Sequence, residues 1–351
     1  MKKWLLMLAL SMLAVVLVAC GDDDTSDSSS SSSGVESDSG TSAGSGETAS
    51  EGETYKFKLG HEAAESHIKF EVAEKFSEEL EKNSDGRMTV DIYPANQLGK
   101  EADMAQQVES GTLDFAILSN GTVSSLSESI NGWFMPFLFN DLQSAADAAS
   151  TEPAQQMLKD LEVKNMHGYG VFFAGQRHIL SSKPIGTVED LKGLKIRIPG
   201  SPVFESYYKA IGAGPASMPL PEVYTSLSTG VIDAVDTDFN AAVSQKFYES
   251  ANILTLSGHI VFPEVVLGAK KTIDSMSEED RQIVADTWAS VIEWGVKESI
   301  ASNDELLKEL KSLGVKVNEL SNVDEFKQLS APVYDQYSSN PTIKAFIDAN
   351  K

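Results

Sequence analysis

From Tyr55 onward, apolar positions recur first with the period of a strand and then with that of a helix. Tyr55, Phe57 and Leu59 alternate with lysines and stop at Gly60, which reads as a half-buried strand. Ile68, Phe70, Ala73, Phe76 and Leu80 then mark one apolar helical face, closed by the turn residues Asp85-Gly86. Met88–Tyr93 predicts a strand, Glu101–Glu109 a helix, Leu113–Leu118 a strand, and Tyr169–Ala174 a strand that crosses into a second lobe. Leu194, Ile196 and Ile198 alternate with Lys195 and Arg197 until Pro199-Gly200, where proline withdraws a ladder donor. Ser201 stands at an N-cap and Pro202 at the first helical position, opening a helix through Ala210. A short helix over Pro221–Thr229 stops at Gly230, and Val231-Ile232-Asp233 restarts a strand. Phe239–Ser250 reads as a helix and Val261–Leu267 as a strand interrupted at Pro263-Glu264. Ser277 and the acids after it cap a helix that runs to about Leu313, roughly 50 Å long and too long for one lobe. This alternation predicts an α/β protein with helices on mostly parallel sheets, binding its ligand outside the carboxyl ends of the strands. Two such ends are Gly60-His61-Glu62 and Ser119-Asn120-Gly121.

The amino end does not follow this pattern. Lys2-Lys3 precede an apolar run from Trp4 to Ala19, an n-region and h-region shorter than the roughly 20 residues of a membrane span. Leu17-Val18-Ala19-Cys20 resembles a lipobox, so residues 1–20 read as a lipoprotein signal peptide and Cys20 as the lipidated first residue of the mature chain. Cys20 is the single cysteine, which excludes an intrachain disulfide. Residues 21–54 are nearly all Gly, Ser, Thr, Asp and Glu, too polar to offset the entropy of ordering, and predict a disordered acidic tether averaging about 30 Å end to end. The tether holds nine acids and no base, leaving 43 acidic against 26 basic residues beyond it, a net of −17. Nothing here forms the basic stripe that nucleic acid requires. An organic anion is not steered in by such a field either, so any grip on one has to be local.

Catalytic motifs fail on inspection. His61-Glu62 begins the H-E-x-x-H metal pattern, but its fifth position is Glu65 and His67 lies out of phase. His61 is therefore expected as a surface or hydrogen-bonded histidine, with no metal. No phosphate loop, nucleophile elbow or cysteine nucleophile occurs after the tether, and neither an enzymatic reaction nor a cofactor is implied. The aromatic run Phe134–Phe139 reads as core or an interlobe wall. Arg197 and Arg177 stand at the ends of different strands and could converge on one anion, each offering a planar fork matched to a carboxylate.

GLKIRIPGSPVF and GAGPASMPLPEVYTSLSTGVID resemble the signature of the solute-binding proteins of TRAP transporters, the DctP family. YKFKLGHEAAESH, PANQLGKEADMAQQVESGTLDFAI, MPFLFND, KFYESANIL and MSEEDRQIV extend the resemblance, in order, over the chain after residue 54. It implies a two-lobed periplasmic-binding-protein-like (Venus flytrap) fold with a long helix spanning both lobes. Lobe I would comprise 55–174 plus about 263–302, and lobe II 175–262 plus about 303–351. It also implies a non-enzymatic protein on the outer face of the cytoplasmic membrane that closes on a small organic acid and delivers it to a membrane permease. Arg197 would be the carboxylate clamp and Arg177 a second donor. Glu62, Glu264, Ser119, Asn120, Asp236 and Thr237 would complete the site, Thr237 standing where the family commonly has asparagine. A hydroxyl has one donor where an amide has two, so the carboxylate would be held differently. Carboxylates facing the cleft accept hydrogen bonds from hydroxyls and repel a second ligand carboxylate, which favours a sugar acid such as a uronate or aldonate. The alternatives are a C4-dicarboxylate, an ectoine-type zwitterion, for which Leu220 replaces the expected aromatic, and a receptor role beside a sensor kinase.

Overall fold

A computed structural model describes residues 52–351. The expected signal peptide, Cys20 and most of the tether lie outside the described residues. The last of the tether, Gly52–Thr54, is held to the fold: Arg87 Nη1 donates to the Glu53 carbonyl at 3.0 Å and Tyr55 Oη to the Glu53 carboxylate at 3.2 Å. These three residues thus belong to the folded body. Among the described residues no helix is long and apolar enough to cross a membrane.

Two sheets form the frame. The first contains β1 (Tyr55–Gly60), β2 (Met88–Tyr93), β3 (Phe115–Ser119), β4 (Met166–Gln176) and β10 (Val261–Ala269) in the order β2-β1-β3-β10-β4. The second contains β5 (His178–Ser181), β6 (Lys195–Ile198), β7 (Gly214–Ser217), β8 (Ala234–Thr237), β9 (Ile253–Leu256) and β11 (Lys316–Glu319) in the order β11-β9-β5-β8-β6-β7. The sheets are mixed, a correction to the mostly parallel expectation. β10 runs antiparallel to both β3 and β4, and β5 antiparallel to both β8 and β9. The cause is the crossing itself. β4 passes to β5 through Arg177 alone, and β9 returns to β10 through 257–260, so neither crossing has the helix that would reset strand direction.

The expected helices form with their expected caps. Ser201 Oγ accepts from Val203 N at 3.2 Å with Pro202 at the first helical position. Ser277 Oγ accepts from Asp280 N at 3.1 Å and opens the 35-residue helix Glu278–Ser312, whose first turn holds three acids that suit its positive end. The helix over 239–250 is shorter than its sequence suggests. It ends at Ser244, and Lys246 adopts φ 55°, which turns Phe247 into the core. The long helix joins both bodies: Val284, Trp288 and Val291 pack beneath the first sheet, and Leu310 with Leu306 and Leu307 packs in the core of the second. The C-terminal helix Pro341–Ala349 packs on both cores, Ile343 and Ile347 with the residues around Phe204 and Phe346 with those around Trp133. Its Phe346 sits 4.7 Å, ring centre to ring centre, from Trp133, and the helix lies on Ser129–Phe134 and Glu152–Lys159, which belong to the first half of the chain.

Trp288 is fully buried and stacks on Phe76 with ring centres 3.6 Å apart, fixing the long helix against the helix α1 (Ile68–Asn83). Trp288→Ala is expected to cost about 3–5 kcal/mol of unfolding free energy in urea titrations. A loss within measurement error would show that the helix does not depend on this contact.

Candidate ligand-binding site

A cavity of about 210 Å³ opens between the two sheets. Glu62, His67, Lys69, Glu101, Ser119 and Glu264 line it from the first body, and Arg197, Met218, Leu220 and Asp238 from the second. Arg177 and Phe262 line it at the crossings. Arg197 leaves β6 pointing inward and is only 4% exposed. Its Nε and Nη2 both donate to the Met218 carbonyl, at 3.1 and 2.9 Å. Among the described residues no carboxylate lies within ion-pairing distance of it, whereas Lys69, Lys100 and Arg177, the other cations of the lining, each have at least one. Burial, then the neighbouring Arg177 guanidinium, pull its pKa down to about 10.

Arg177 is differently placed. Its Nε donates to Asp236 Oδ1 at 2.5 Å, its Nη1 to Asp238 Oδ2 at 2.6 Å and its Nη2 to the Asp236 carbonyl, while Cζ lies 4.4 Å above the Phe262 ring. Burial opposes its charge, but Asp236 and Asp238 outweigh burial and hold its pKa above the ordinary value. Gly175 allows this approach: its φ is 151°, and a Cβ there would meet Asp238 Cβ at 2.9 Å. Asp236 lies behind Arg177, taking hydrogen bonds from Tyr208 Oη at 2.7 Å and sharing one with His259 Nε2 at 2.8 Å. Burial disfavours its ionised form, but Arg177 and His259 hold its pKa at about 2.

Of the residues expected in the site, Arg197, Arg177, Glu62, Glu264 and Ser119 stand on the cavity wall. Asp236, Thr237 and Asn120 do not. Thr237 Oγ1 donates to the Asp238 carbonyl at 3.1 Å, and Asn120 Nδ2 donates to the Ile130 carbonyl at 3.1 Å, so both serve their own loops. Leu220 lines the cavity as an aliphatic residue. His61 corrects its expectation: it is fully buried, neither ring nitrogen has a partner, and burial pushes its pKa down to about 3. Among the described residues no group of histidine, cysteine or acidic side chains is set to hold a metal.

The sequence reading missed Lys69. Its Nζ lies 2.9 Å from Glu101 Oε1, 2.9 Å from Glu264 Oε2 and 3.7 Å from Glu62 Oε1. Burial works against this ammonium, but the three carboxylates raise its pKa above the ordinary value. The available signal was its position: Lys69 shares the stripe of Ala73, Phe76 and Leu80 on α1. Glu101, at the start of the helix α2 (Glu101–Ser110), also accepts from Ser119 N at 2.7 Å, from Ser119 Oγ, and from Thr122 Oγ1 at 2.6 Å. Although buried, it is held ionised by Lys69 and these donors. Glu62 has only the Leu220 backbone N–H besides Lys69, Glu264 has Lys69 alone, and burial pushes them up to about 7 and about 8.

A cavity between two sheets, walled by a buried guanidinium that has no ion-pair partner among the described residues, is the layout of a two-lobed solute-binding protein. Residues 59–340 match the DctP family, bacterial extracellular solute-binding protein family 7, and the chain belongs to that family. It is a TRAP solute-binding protein, an extracytoplasmic, non-enzymatic component of transport. It is 30% identical over 261 residues to the 2,3-diketo-L-gulonate-binding periplasmic protein YiaO of Escherichia coli, covering 74% of this chain and 80% of that one. It is similar to the sugar acid binding protein DctPAm of Advenella mimigardefordensis in complex with galactonate, with a TM-score of 0.82, 27% identity and coverage of 85% and 98%. It is also similar to a TRAP periplasmic solute binding protein of Shewanella oneidensis with bound succinate, with a TM-score of 0.81, 26% identity and coverage of 85% and 100%.

The raised Glu264 pKa has a consequence for stability. A carboxyl that holds its proton more tightly folded than unfolded stabilises the fold fully below its ordinary pKa of 4.5, and that contribution is lost as pH rises towards 8. The unfolding free energy of the wild type should fall relative to Glu264→Gln across that window, by at most about 1.4 kcal/mol per pH unit for one proton. Urea titrations at either end of the window test this, and parallel pH dependence in the two proteins would refute it.

Proposed function

We propose that this chain captures a sugar acid, a uronate or aldonate, by clamping its carboxylate on Arg197, and delivers it to the membrane permease of a TRAP transporter. The observation that carries the reading is the lone guanidinium of Arg197. A buried cation is costly without an anion, and here two donors are locked on the Met218 carbonyl while the rest of the fork faces the cavity. Arg177, ion-paired with Asp236 and Asp238 through three of its five N–H donors, positions the clamp and adds field more than donors. Across the cavity, Glu62, Glu264 and Ser119 meet the remainder of the ligand. A wall of three carboxylates around one committed lysine repels a second ligand carboxylate and pairs with hydroxyls, which favours sugar acids over C4-dicarboxylates. The galactonate bound by the Advenella protein supports this class for the present chain, and the succinate bound by the Shewanella protein marks the competitor. The apolar run before Cys20 supports lipid anchoring at the outer face of the cytoplasmic membrane.

A thermal-shift panel of D-galactonate, D-galacturonate, D-glucuronate, succinate and ectoine tests the reading. A ligand at 100 times its Kd adds about 2.7 kcal/mol of stability, so a sugar acid should raise Tm clearly and succinate should not. Arg197→Ala should weaken the best sugar acid roughly 30-fold or more, the cost of stripping one member from a buried charged pair, with circular dichroism unchanged. Undiminished affinity in that variant would remove Arg197 from the site.

A further inference from the structure

We propose that the site takes up one proton together with its acid, and that the proton lodges on the Glu62 and Glu264 carboxylates that Lys69 gathers on the cavity wall. This rests on the sugar-acid reading above. The geometry supplies the argument. Arg177 is spent on Asp236 and Asp238. Glu101 takes Lys69 as well as donors from Ser119 and Thr122, so its charge is fully met. Glu62, which also feels Arg197 and the Leu220 backbone N–H, and Glu264 are left to share what remains of a single ammonium, 3.7 and 2.9 Å away, in a wall where Lys69 is 1% exposed. A ligand carboxylate on Arg197 then adds another negative charge to the same 210 Å³. Like charges in one dry site do not all stay ionised, and the least supported gains a proton first.

The other groups facing this pair cannot substitute for it. His61, beside Glu62, and His67, at the cap of α1, are driven far below their ordinary pKa by burial, so neither carries the proton near neutrality. Lys100 at the rim is exposed and paired with Glu222 across the mouth at 2.9 Å. The raised pKa values of Glu62 and Glu264 agree with the geometry. The step is a plain transfer from bulk buffer: one carboxylate oxygen gains H⁺, no other bond changes, and the resulting O–H becomes a donor for a ligand oxygen. A carboxylate-only wall could accept from hydroxyls but never donate to a ring or carbonyl oxygen. The proton therefore widens what the site can recognise without adding a residue.

Isothermal titration calorimetry of the wild type with D-galactonate and D-glucuronate decides the matter, run in phosphate and in Tris at about pH 7 and about pH 8.5. The observed enthalpy should depend on the buffer with the sign of uptake, up to about one proton per ligand, and affinity should fall as pH rises, by at most tenfold per pH unit. Glu264→Gln should bind with a flatter pH profile, and Glu62→Gln provides the same comparison if that variant does not fold. Binding with no buffer dependence, or with proton release, overturns the proposal while leaving the sugar-acid reading intact. No heat from either acid overturns that reading, and the proton uptake with it.

Discussion

The arrangement of both bodies around the cavity depends on Arg177. It stands at the single residue where the chain leaves the first sheet for the second, and its guanidinium ties three segments together. Asp236 comes from β8 in the second sheet, and Asp238 caps the helix Phe239–Ser244 through Ala241 N at 2.7 Å. Phe262 comes from the first sheet and lies under the guanidinium at 4.4 Å. Buried ion pairs contribute little net stability against apolar replacements, but removing one partner costs about 3–5 kcal/mol because the other is stranded. The network is therefore a specification of geometry. It fixes where the crossing lies, and with it the angle at which β6 presents Arg197.

This division of labour assigns the charges of the site to different tasks. Arg177 is ion-paired with Asp236 and Asp238, Lys69 organises the opposite wall, and Arg197 has no carboxylate within ion-pairing distance among the described residues, which is what the proposed clamp draws on. The same principle governs the acids. Asp236 and Glu101 are held ionised by dense sets of donors, whereas Glu62 and Glu264 have few and meet the cavity with their charge unsettled. Identical residue types thus act as anchors or as adaptable contacts according to how many donors the fold gives them.

The chain order of elements was legible because it rests on local rules. Ser201-Pro202, Ser277 with its following acids, and the period-two run through Ile196 and Ile198 each state a boundary in adjacent residues, and each boundary appears where those residues place it. The place of Arg197 at a strand end was legible for the same reason, whereas its role as a clamp rested on the resemblance to the family. The roles of Asp236, Thr237 and Asn120 were not. They sit beside the site in sequence, but their orientation is decided by partners ten or more residues away or by their own turns, such as Ile130 for Asn120 and Tyr208 for Asp236. Lys69 was hidden for the opposite reason. It reads as one polar residue on an apolar stripe until Glu62, Glu101 and Glu264, from three separate elements, converge on it. The antiparallel course of β10 was likewise a property of two crossings and of no local pattern.

The overall charge limits how such a site can work. With a net of −17 beyond the tether, the surface field does not draw organic anions in, so association lacks the steering that an electropositive cleft enjoys. Selectivity and retention have to come after entry. Arg197 meets this demand by being immobilised beforehand: two of its donors are already fixed on Met218, so little side-chain freedom is lost when a carboxylate arrives. The Lys100–Glu222 pair across the mouth, at 62% and 52% exposed, is too solvated to hold the bodies together by itself. On the proposed reading, a ligand that bridges Arg197 on one body and the Lys69-centred wall on the other would supply the tie that this pair does not. A solute that reached only one of them would gain that contact without the tie, so the same reading makes ligand length, as much as charge, the property this cavity would select.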